Sequence, residues 1–274
     1  MPRPTGTPTW LDYGAPQLSE SLDFYGALFG WDFEDSGPQL NHYTMAHKDG
    51  APVCGLMDTT GVTGPDGAPL PAAWNVFLAV DDIGARLAKA QEAGARVLME
   101  PGHMAGTGTF ALLADPTGAR IGLWEADGFD GYAFSGAPGT PVWFELMSMD
   151  FDASARFYAD VFDFEVTPEG AQPGTQDDSA RQQCAAPAYA TNARAERASA
   201  GICAASAWFP AGTVSFWRLY FGVADADAAI ERIRTLGGSL LDGPMDSPFG
   251  RIATVADPKG AGFQINQPLP DQGA

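Results

Sequence analysis

The chain is poor in cysteine and has no long apolar run. Its three cysteines, Cys54, Cys184 and Cys203, include no Cys-x-x-Cys arrangement, and an odd number cannot all pair within one chain. We therefore expect reduced thiols rather than a disulfide or a thiolate metal site. No apolar run approaches the roughly 20 residues of a membrane-spanning helix, and the N-terminus has no apolar signal core. These absences predict a cytoplasmic protein without a membrane partner.

Positive charge is also scarce. Lysine and arginine number 15 against 34 acidic residues, which gives a formal net charge of −19. A phosphate backbone would be repelled, so we expect no nucleic-acid partner, whereas a cationic ligand would be attracted over a long range. The same charge also favours solubility, and composition does not separate these two roles. An apolar fraction of 45% is enough for ordinary cores in a chain of 274 residues.

An internal repeat organises the chain. Four features of the first half recur 133 residues later: Trp10 as Trp143, Asp12 as Glu145, Phe24-Tyr25 as Phe157-Tyr158, and Phe29 as Phe162. A second pair of segments, 74–82 and 217–225, matches at an offset of 143 residues. A glycine-rich stretch lies between the two halves. We therefore predict a first domain over residues 1–126, a linker over 127–139 and a second domain over 140–274.

Each half reads twice as a strand, a helix and three further strands. In the first helix, apolar residues recur at steps of three and four after Ser19, a potential N-cap, and Gly30 stands at the C-cap position. Further helices are predicted over residues 83–93, 152–162 and 225–236, and a polar surface loop over 168–187. Apolar residues alternate along the strands, so we expect an α+β fold. Its four βαβββ units would form curved, cup-shaped mixed sheets with the helices outside.

Several motifs recur in the same order in the two halves. They are the Phe-Tyr helices, the strand end Val80-Asp81-Asp82, and the Asp-Pro-x-Gly turns at 115–118 and 257–260. From about Gly6 to Gln267 the chain resembles the vicinal oxygen chelate superfamily, which includes glyoxalase I, extradiol dioxygenases, fosfomycin-resistance enzymes and bleomycin-sequestering proteins. Each half opens with a Trp-x-Asp or Trp-x-Glu segment, and Phe29-Gly30-Trp31 follows the first helix. These segments are similar to those of a two-domain actinobacterial branch labelled hydroxylase-like or culture-filtrate-antigen-like.

The resemblance implies where a divalent metal would bind. Superfamily enzymes use a His or Gln on the first strand, a His on the strand opening the second unit, and a Glu on the closing strand. The corresponding residues are Trp10, Asn75 and Gly122 in the first half, and Trp143, Arg218 and Gln264 in the second. None of the six is His, Asp or Glu. We therefore expect no metal cofactor, although a divalent metal held by other residues stays an alternative, and a lone histidine is a poor candidate.

Two acidic residues are the candidate catalytic groups. Asp12 and Glu145 stand two residues past the tryptophans, so strand alternation puts them on the same, cup-facing side. They would act as a general base, as a wall for a cation, or as ligands of an unconventional metal site; alternatively they are structural carboxylates with backbone or arginine partners. The predicted ligand-binding set is Trp10, Asp12, Asn75, Phe77, Trp124, Trp143, Glu145, Arg218, Tyr220 and Gln264.

A cup lined by aromatic rings with a few polar groups suits a flat organic ligand. We predict a monomer or homodimer that binds a small aromatic or cationic organic molecule without a metal, for antibiotic sequestration or natural-product tailoring. One alternative is a metal-dependent hydroxylase, dioxygenase or lyase with atypical ligands. Another is a structural protein whose own side chains fill the cups. A register slip of one residue would exchange the lining set for the core set.

Overall fold

The structure is a computed structural model that describes residues 3–64, 67–132, 135–168, 188–194 and 197–269. Its helices are α1 (Leu18–Phe29), α2 (Ile83–Glu92), α3 (Phe151–Phe162) and α4 (Ala226–Thr235). The strands of the first half are β1 (Pro8–Ala15), β2 (Asp32–Asp35), β3 (Thr44–Lys48), β4 (Ala51–Asp58), β5 (Ala73–Ala79), β6 (Arg96–Met104), β7 (Gly108–Ala114) and β8 (Arg120–Ala126). Those of the second half are β9 (Pro141–Ser148), β10 (Thr167–Pro168), β11 (Tyr189–Thr191), β12 (Ala200–Ala204), β13 (Phe216–Gly222), β14 (Ser239–Ser247), β15 (Gly250–Ala256) and β16 (Gly262–Gln267).

The element order repeats βαβββ four times, which confirms the predicted α+β fold with tandem domains. Two eight-stranded sheets follow the two halves, in the orders β2-β3-β4-β1-β5-β8-β7-β6 and β10-β11-β12-β9-β13-β16-β15-β14. Both sheets are mixed, since β1 pairs with β4 and β9 with β12 in parallel, whereas the hairpin strands pair antiparallel. The predicted loop over 168–187 lies, apart from its first residue, outside the described residues.

Sequence signals placed most helix ends correctly. Asp82, Asp150 and Asp225 cap α2, α3 and α4, each accepting a hydrogen bond from a backbone amide of the first turn. Gly30 ends α1 in the left-handed conformation with φ 68°. The prediction that Ser19 caps α1 is wrong. The helix begins one residue earlier, at the buried Leu18, and its N-cap is Gln17.

The chain packs as two compact units that each combine one module from each half. The unit that we call inner, because its modules are internal in the sequence, consists mainly of residues 78–130 and 144–217, the second and third βαβββ modules. The outer unit consists mainly of residues 9–77 and 218–274, the first and fourth modules. The two modules of one half therefore share a sheet. The modules that pack into one compact unit, in contrast, come from different halves.

A buried carboxylate holds the two modules of the outer unit together. Asp257, which opens the second Asp-Pro-x-Gly turn, accepts hydrogen bonds at Oδ2 from the hydroxyls of Tyr13 (2.6 Å) and Tyr25 (3.0 Å). Its Oδ1 accepts the backbone amides of its own turn. The Tyr25 hydroxyl in turn accepts from Trp74 Nε1 at 3.1 Å. A helix of the first half is thereby hydrogen-bonded to a turn of the second.

The inner unit repeats this arrangement with the halves exchanged. The Tyr158 hydroxyl of α3 donates to Asp115 Oδ2 at 3.0 Å and accepts from Trp217 Nε1 at 2.8 Å. Asp115 Oδ1 accepts from Thr117 and from the Ala119 amide. The Phe-Tyr and Asp-Pro-x-Gly motifs are therefore structural. They stabilise buried contacts between modules rather than present groups to a ligand.

An arginine provides a second connection within the inner unit. The Arg86 guanidinium of α2 donates to both carboxylate oxygens of Asp81 and of Asp163, and to the carbonyl of Val161 at the end of α3. Its side chain is only 11% exposed. Hydrogen bonds to these carboxylates raise the pKa of Arg86 further above its usual range. The two helices are therefore held by one planar group with several partners.

Candidate functional site

Strand alternation separates the predicted site residues from the helix-packed core. On β1 the Tyr13 hydroxyl meets Ser21 of α1, and on β13 Trp217 meets Tyr158 of α3. Side chains of the other parity lie on the sheet face opposite the helices. The predicted residues take these positions: Trp10 and Asp12 on β1, Asn75 and Phe77 on β5, Trp124 on β8, Trp143 and Glu145 on β9, Arg218 and Tyr220 on β13, and Gln264 on β16.

Asp12 is the centre of a hydrogen-bonded group in the outer unit. Its Oδ1 accepts from Trp10 Nε1 at 3.1 Å and from the Tyr43 hydroxyl at 2.5 Å, and the same indole N–H lies 2.9 Å from the Tyr43 oxygen. Burial raises the pKa of Asp12 to about 6, while the bonds from Tyr43 and Trp10 act in the opposite direction. A carboxyl with this pKa changes its charge close to neutral pH.

A glycine makes room for Tyr43 beside this carboxyl. Gly55 on β4 lies opposite Asp12 in the strand register, and a Cβ at Gly55 would overlap the Tyr43 hydroxyl. The neighbouring Cys54 is fully buried, and burial together with the Asp12 charge raises the pKa of its thiol. Cys54 therefore stays a neutral, buried thiol. Cys184 lies outside the described residues.

The second half carries an equivalent arrangement in the inner unit. Glu145 is buried and lies opposite Gly201 on β12, and a Cβ at Gly201 would overlap the hydroxyl of Tyr189. Sequence reasoning missed both tyrosines and both glycines. The sequence did contain a signal for them, an internal repeat. Tyr43 and Tyr189 are separated by 146 residues, and so are Gly55 and Gly201.

Beside Glu145, apolar side chains form what we call the thioether–aromatic cluster. Its buried members are Met147, Cys203 and Ala205, and the partly exposed side chains that pack on them are Met149, Tyr189, Phe209 and Phe216. Glu145, Met147 and Met149 alternate along β9 and its end, so they share the face opposite α3. The Phe209 and Phe216 rings meet edge to face, with centroids 5.4 Å apart. Neither Phe209 nor Phe216 was predicted as a site residue. Phe209 lies in the segment between β12 and β13, which has no strand alternation, and Phe216 is the first residue of β13.

The other predicted residues have contacts of their own. The buried Trp124 donates from Nε1 to the Phe129 carbonyl at 3.0 Å. The Arg218 guanidinium carbon lies 5.7 Å from the centroid of the Tyr220 ring. Trp124 and Glu145 belong to the inner unit and the remaining predicted residues to the outer unit. Their common role in ligand binding stays a prediction.

The residues at the superfamily's metal positions do not fit a divalent metal. Trp10 offers only an N–H donor, which is already directed at Asp12 and Tyr43. Gln264 is buried and its Oε1 accepts from Thr254 Oγ1 at 2.9 Å, while Arg218 contributes a positive charge. Within the described ranges, no three His, Cys, Asp or Glu residues cluster as a metal site would require.

The histidines do not supply a ligand set either. His42 Nδ1 lies 2.8 Å from Asp35 Oδ2 on the surface, and the hydrogen bond from His42 lowers the pKa of Asp35. His103 Nδ1 lies 3.1 Å from Thr109 Oγ1. These contacts are those of ordinary exposed histidines.

Residues 8–123 and 140–265 each match the model of the Glyoxalase/Bleomycin resistance protein/Dioxygenase superfamily, and the chain belongs to this superfamily. Among named relatives, it is 32% identical to the anthracycline biosynthesis protein DauV of Streptomyces sp. (strain C5), over 95% of this chain and 92% of that protein. It is also 32% identical to the putative glyoxylase CFP32 of Mycobacterium bovis, over 97% of both chains. The resemblance noted in the sequence is thereby confirmed.

Solved structures share the fold at low sequence identity. The 2,3-dioxygenase LapB from Pseudomonas sp. KL28 matches with a TM-score of 0.62 and 15% identity, over 99% of this chain and 97% of that one. The Mn(II)-bound glyoxalase from Novosphingobium aromaticivorans matches with a TM-score of 0.60 and 16% identity, over 97% and 83%. In the described part of this chain, every helix is too short or too polar to cross a membrane.

Proposed function

We propose that the protein binds a small aromatic or cationic organic molecule without a metal, in a role such as antibiotic sequestration or natural-product tailoring. The observation that carries the proposal is the thioether–aromatic cluster, whose four outer side chains remain partly exposed on the sheet face opposite α3. Two flexible thioethers adapt to the outline of a ligand, and the rings of Tyr189, Phe209 and Phe216 offer flat apolar contacts.

The relatives support an aromatic ligand. Two of them, from different Streptomyces, are named anthracycline biosynthesis proteins, and anthracyclines contain a planar ring system. A metal-dependent hydroxylase, dioxygenase or lyase is the rival function, since solved neighbours include dioxygenases and an Mn(II)-bound glyoxalase. The donor chemistry of Trp10, Arg218 and Gln264 argues against that function for this chain.

Anthracycline binding tests the proposal directly. Daunorubicin should bind, with a rise in its fluorescence anisotropy, and Phe209→Ala should weaken its affinity about tenfold through lost apolar contact. Phe249→Ala is the matched control, because Phe249 is 68% exposed and lies outside the cluster. Equal affinities for the wild type and Phe209→Ala would contradict the assignment of the cluster as the binding surface.

Metal content separates the proposal from its rival. Untagged protein would be dialysed, offered Fe, Mn, Ni and Zn in turn, and measured by mass spectrometry. We expect far less than one ion per chain and unchanged daunorubicin affinity after chelation, because neither half supplies the usual ligand set. About one tightly held ion per chain would favour the rival, with Asp12 and Glu145 as the first ligands to substitute.

A further inference from the structure

We infer that Asp12 Oδ2 anchors a ligand site on the first repeat for organic molecules that carry a primary ammonium group. Asp12 Oδ1 is occupied by the hydrogen bonds from Trp10 and Tyr43. No described residue donates a hydrogen bond to Oδ2, and the side chain is only partly buried. The inference rests on the proposed function only in taking the equivalent face of the first half's sheet as a second ligand site; the atom and the chemical class it binds are additional.

The surroundings of the carboxyl favour a cation over other ligands. An ammonium group donates charge-assisted hydrogen bonds, which are about twice as strong as neutral ones. A carboxylate withdrawn from water gains more from such a partner than an exposed one, since its own hydration is already reduced. An anionic ligand would be repelled both by Asp12 and by the net charge of −19.

Asp12 is the group at this site that changes charge near neutral pH. The titratable groups that interact with it are Tyr43, which packs over β4, and Cys54 on β4 itself. Burial and the Asp12 charge raise the pKa of both, so the phenol and the thiol stay neutral. Trp10 on β1 and Asn75 on the neighbouring β5 carry no charge. Of these side chains, Asp12 is therefore the one that carries a negative charge.

Tyr43 is a positioning residue for this anchor. Its hydroxyl and the Trp10 indole both hold Oδ1, which fixes the orientation of the carboxyl and leaves Oδ2 for the ligand. Gly55 allows the tyrosine to approach so closely. A positioning role predicts that loss of the hydroxyl changes the protonation of Asp12 as well as its affinity for a ligand.

The Trp10 indole N–H is a local reporter of this site. In protein with ¹⁵N-labelled tryptophan, Trp10→Phe identifies its resonance among the seven tryptophans. Because Nε1 donates to Asp12 Oδ1, the resonance should shift with a midpoint of about 6 as the carboxyl titrates. Saturating benzylamine should lower the midpoint by about one pH unit, which corresponds to a tenfold preference for the ionised carboxyl. Benzyl alcohol, which has the same ring without the charge, should not lower it.

Three variants complete the test. Asp12→Asn should abolish both the titration and the benzylamine effect, whereas Asp49→Asn, which removes one charge at a side chain 86% exposed, should preserve both. Tyr43→Phe keeps the carboxyl and should raise the midpoint, because its hydrogen bond favours the ionised form. An unchanged midpoint with benzylamine, or an equal change with benzyl alcohol, would overturn the inference. Daunorubicin also carries a primary ammonium group, so the loss of its affinity in Phe209→Ala, rather than its binding as such, tests the proposed function. Phe209 and Asp12 lie in different compact units, so the two proposals fail separately.

Discussion

At the scale of single residues, the space above Gly55 determines how Asp12 is held. The Tyr43 hydroxyl lies where a side chain at Gly55 would begin, and a Cβ there would also come within 2.8 Å of Asp12 Oδ1. One methyl group added at this position is therefore enough to separate the tyrosine from the carboxyl. The same relation holds between Gly201 and Tyr189, so both halves depend on the absence of a side chain at one β-strand position.

We predict that Gly55→Ala displaces Tyr43 and destabilises the protein by about 1–3 kcal/mol, as overpacking usually does. Urea unfolding measures the change. Gly262→Ala is the control, because a Cβ there meets nothing nearer than the Val255 carbonyl at 3.9 Å, and it should cost less than about 0.5 kcal/mol. Equal effects of the two substitutions would contradict the steric explanation.

The raised pKa of Asp12 predicts the pH dependence of stability. The folded carboxyl has a pKa of about 6 against 3.8 when unfolded, so the folded state binds more protons between these values. The contribution of Asp12 to stability is therefore largest below about pH 4 and is lost as the pH rises toward 6. Relative to Asp12→Asn, the wild type should lose unfolding free energy across this interval, as measured by urea unfolding at several pH values. A constant difference between the two proteins would refute the shift.

At the scale of secondary-structure elements, single side chains join helices to elements from the other half. Arg86 connects α2 to the end of α3, and Tyr25 and Tyr158 connect α1 and α3 to the two Asp-Pro-x-Gly turns. These groups are buried or nearly so, which makes each lost hydrogen bond costly. The stability of the helix packing should thus depend on very few polar contacts.

We predict that Arg86→Lys destabilises the protein by about 1–3 kcal/mol, because an ammonium group cannot reproduce the planar contacts with two carboxylates and a carbonyl. Arg234→Lys is the matched control. Arg234 is 51% exposed and pairs only with Glu231 among the described residues, so its replacement should cost less than about 0.5 kcal/mol. Thermal unfolding of the two variants in parallel measures the difference, and a similar loss in both would exclude a special role for Arg86.

The two helix tyrosines should differ in importance. Tyr25→Phe leaves Asp257 Oδ2 with the hydrogen bond from Tyr13, whereas Tyr158→Phe leaves Asp115 Oδ2 without its tyrosine donor. We therefore expect Tyr158→Phe to cost more, by about 1 kcal/mol, which is the typical value of one hydrogen bond. Urea unfolding of the two variants tests the order. A larger loss for Tyr25→Phe would contradict it.

Much of this architecture was predictable from the sequence. Alternating apolar residues in the strands and steps of three and four in the helices predicted the element order, because these signals are local. The start of α1 was missed because the buried Leu18 determined it rather than the nearby serine. Tyr43, Gly55 and Phe209 were missed for a different reason. Their importance arises from contacts between strands and segments that no local pattern encodes, and the repeat of Tyr43 and Gly55 after 146 residues was the one long-range signal that marked two of them.

At the scale of the whole molecule, the interleaved modules make each half incomplete by itself. Residues 1–126, the proposed first domain, contain Asp115 but not Tyr158, and residues 140–274 contain Asp257 but neither Tyr13 nor Tyr25. A separated half would have to bury these carboxylates without their tyrosine donors, at a cost of about 1–3 kcal/mol or more for each. In a separated half, each compact unit would also lack one of its two modules.

We predict that neither half unfolds cooperatively as an isolated monomer, and that mixing the two restores a cooperative transition. Circular dichroism during heating and size-exclusion chromatography provide the measurements. A monomeric half with a sharp thermal transition would show that sheet pairing within a half is sufficient for folding.

The exchange of tyrosine and aspartate between halves also has a consequence for ancestry. A shorter ancestor with one half would satisfy its buried aspartate through the tyrosine of a second copy, so it would exist as a pair of identical subunits. Duplication and fusion of its gene would join that pair in one polypeptide, after which the copies no longer had to match. Positions 12 and 145 now hold Asp and Glu, and positions 14 and 147 hold Gly and Met. Each half of the fused chain would thereby be free to diverge in sequence independently of the other.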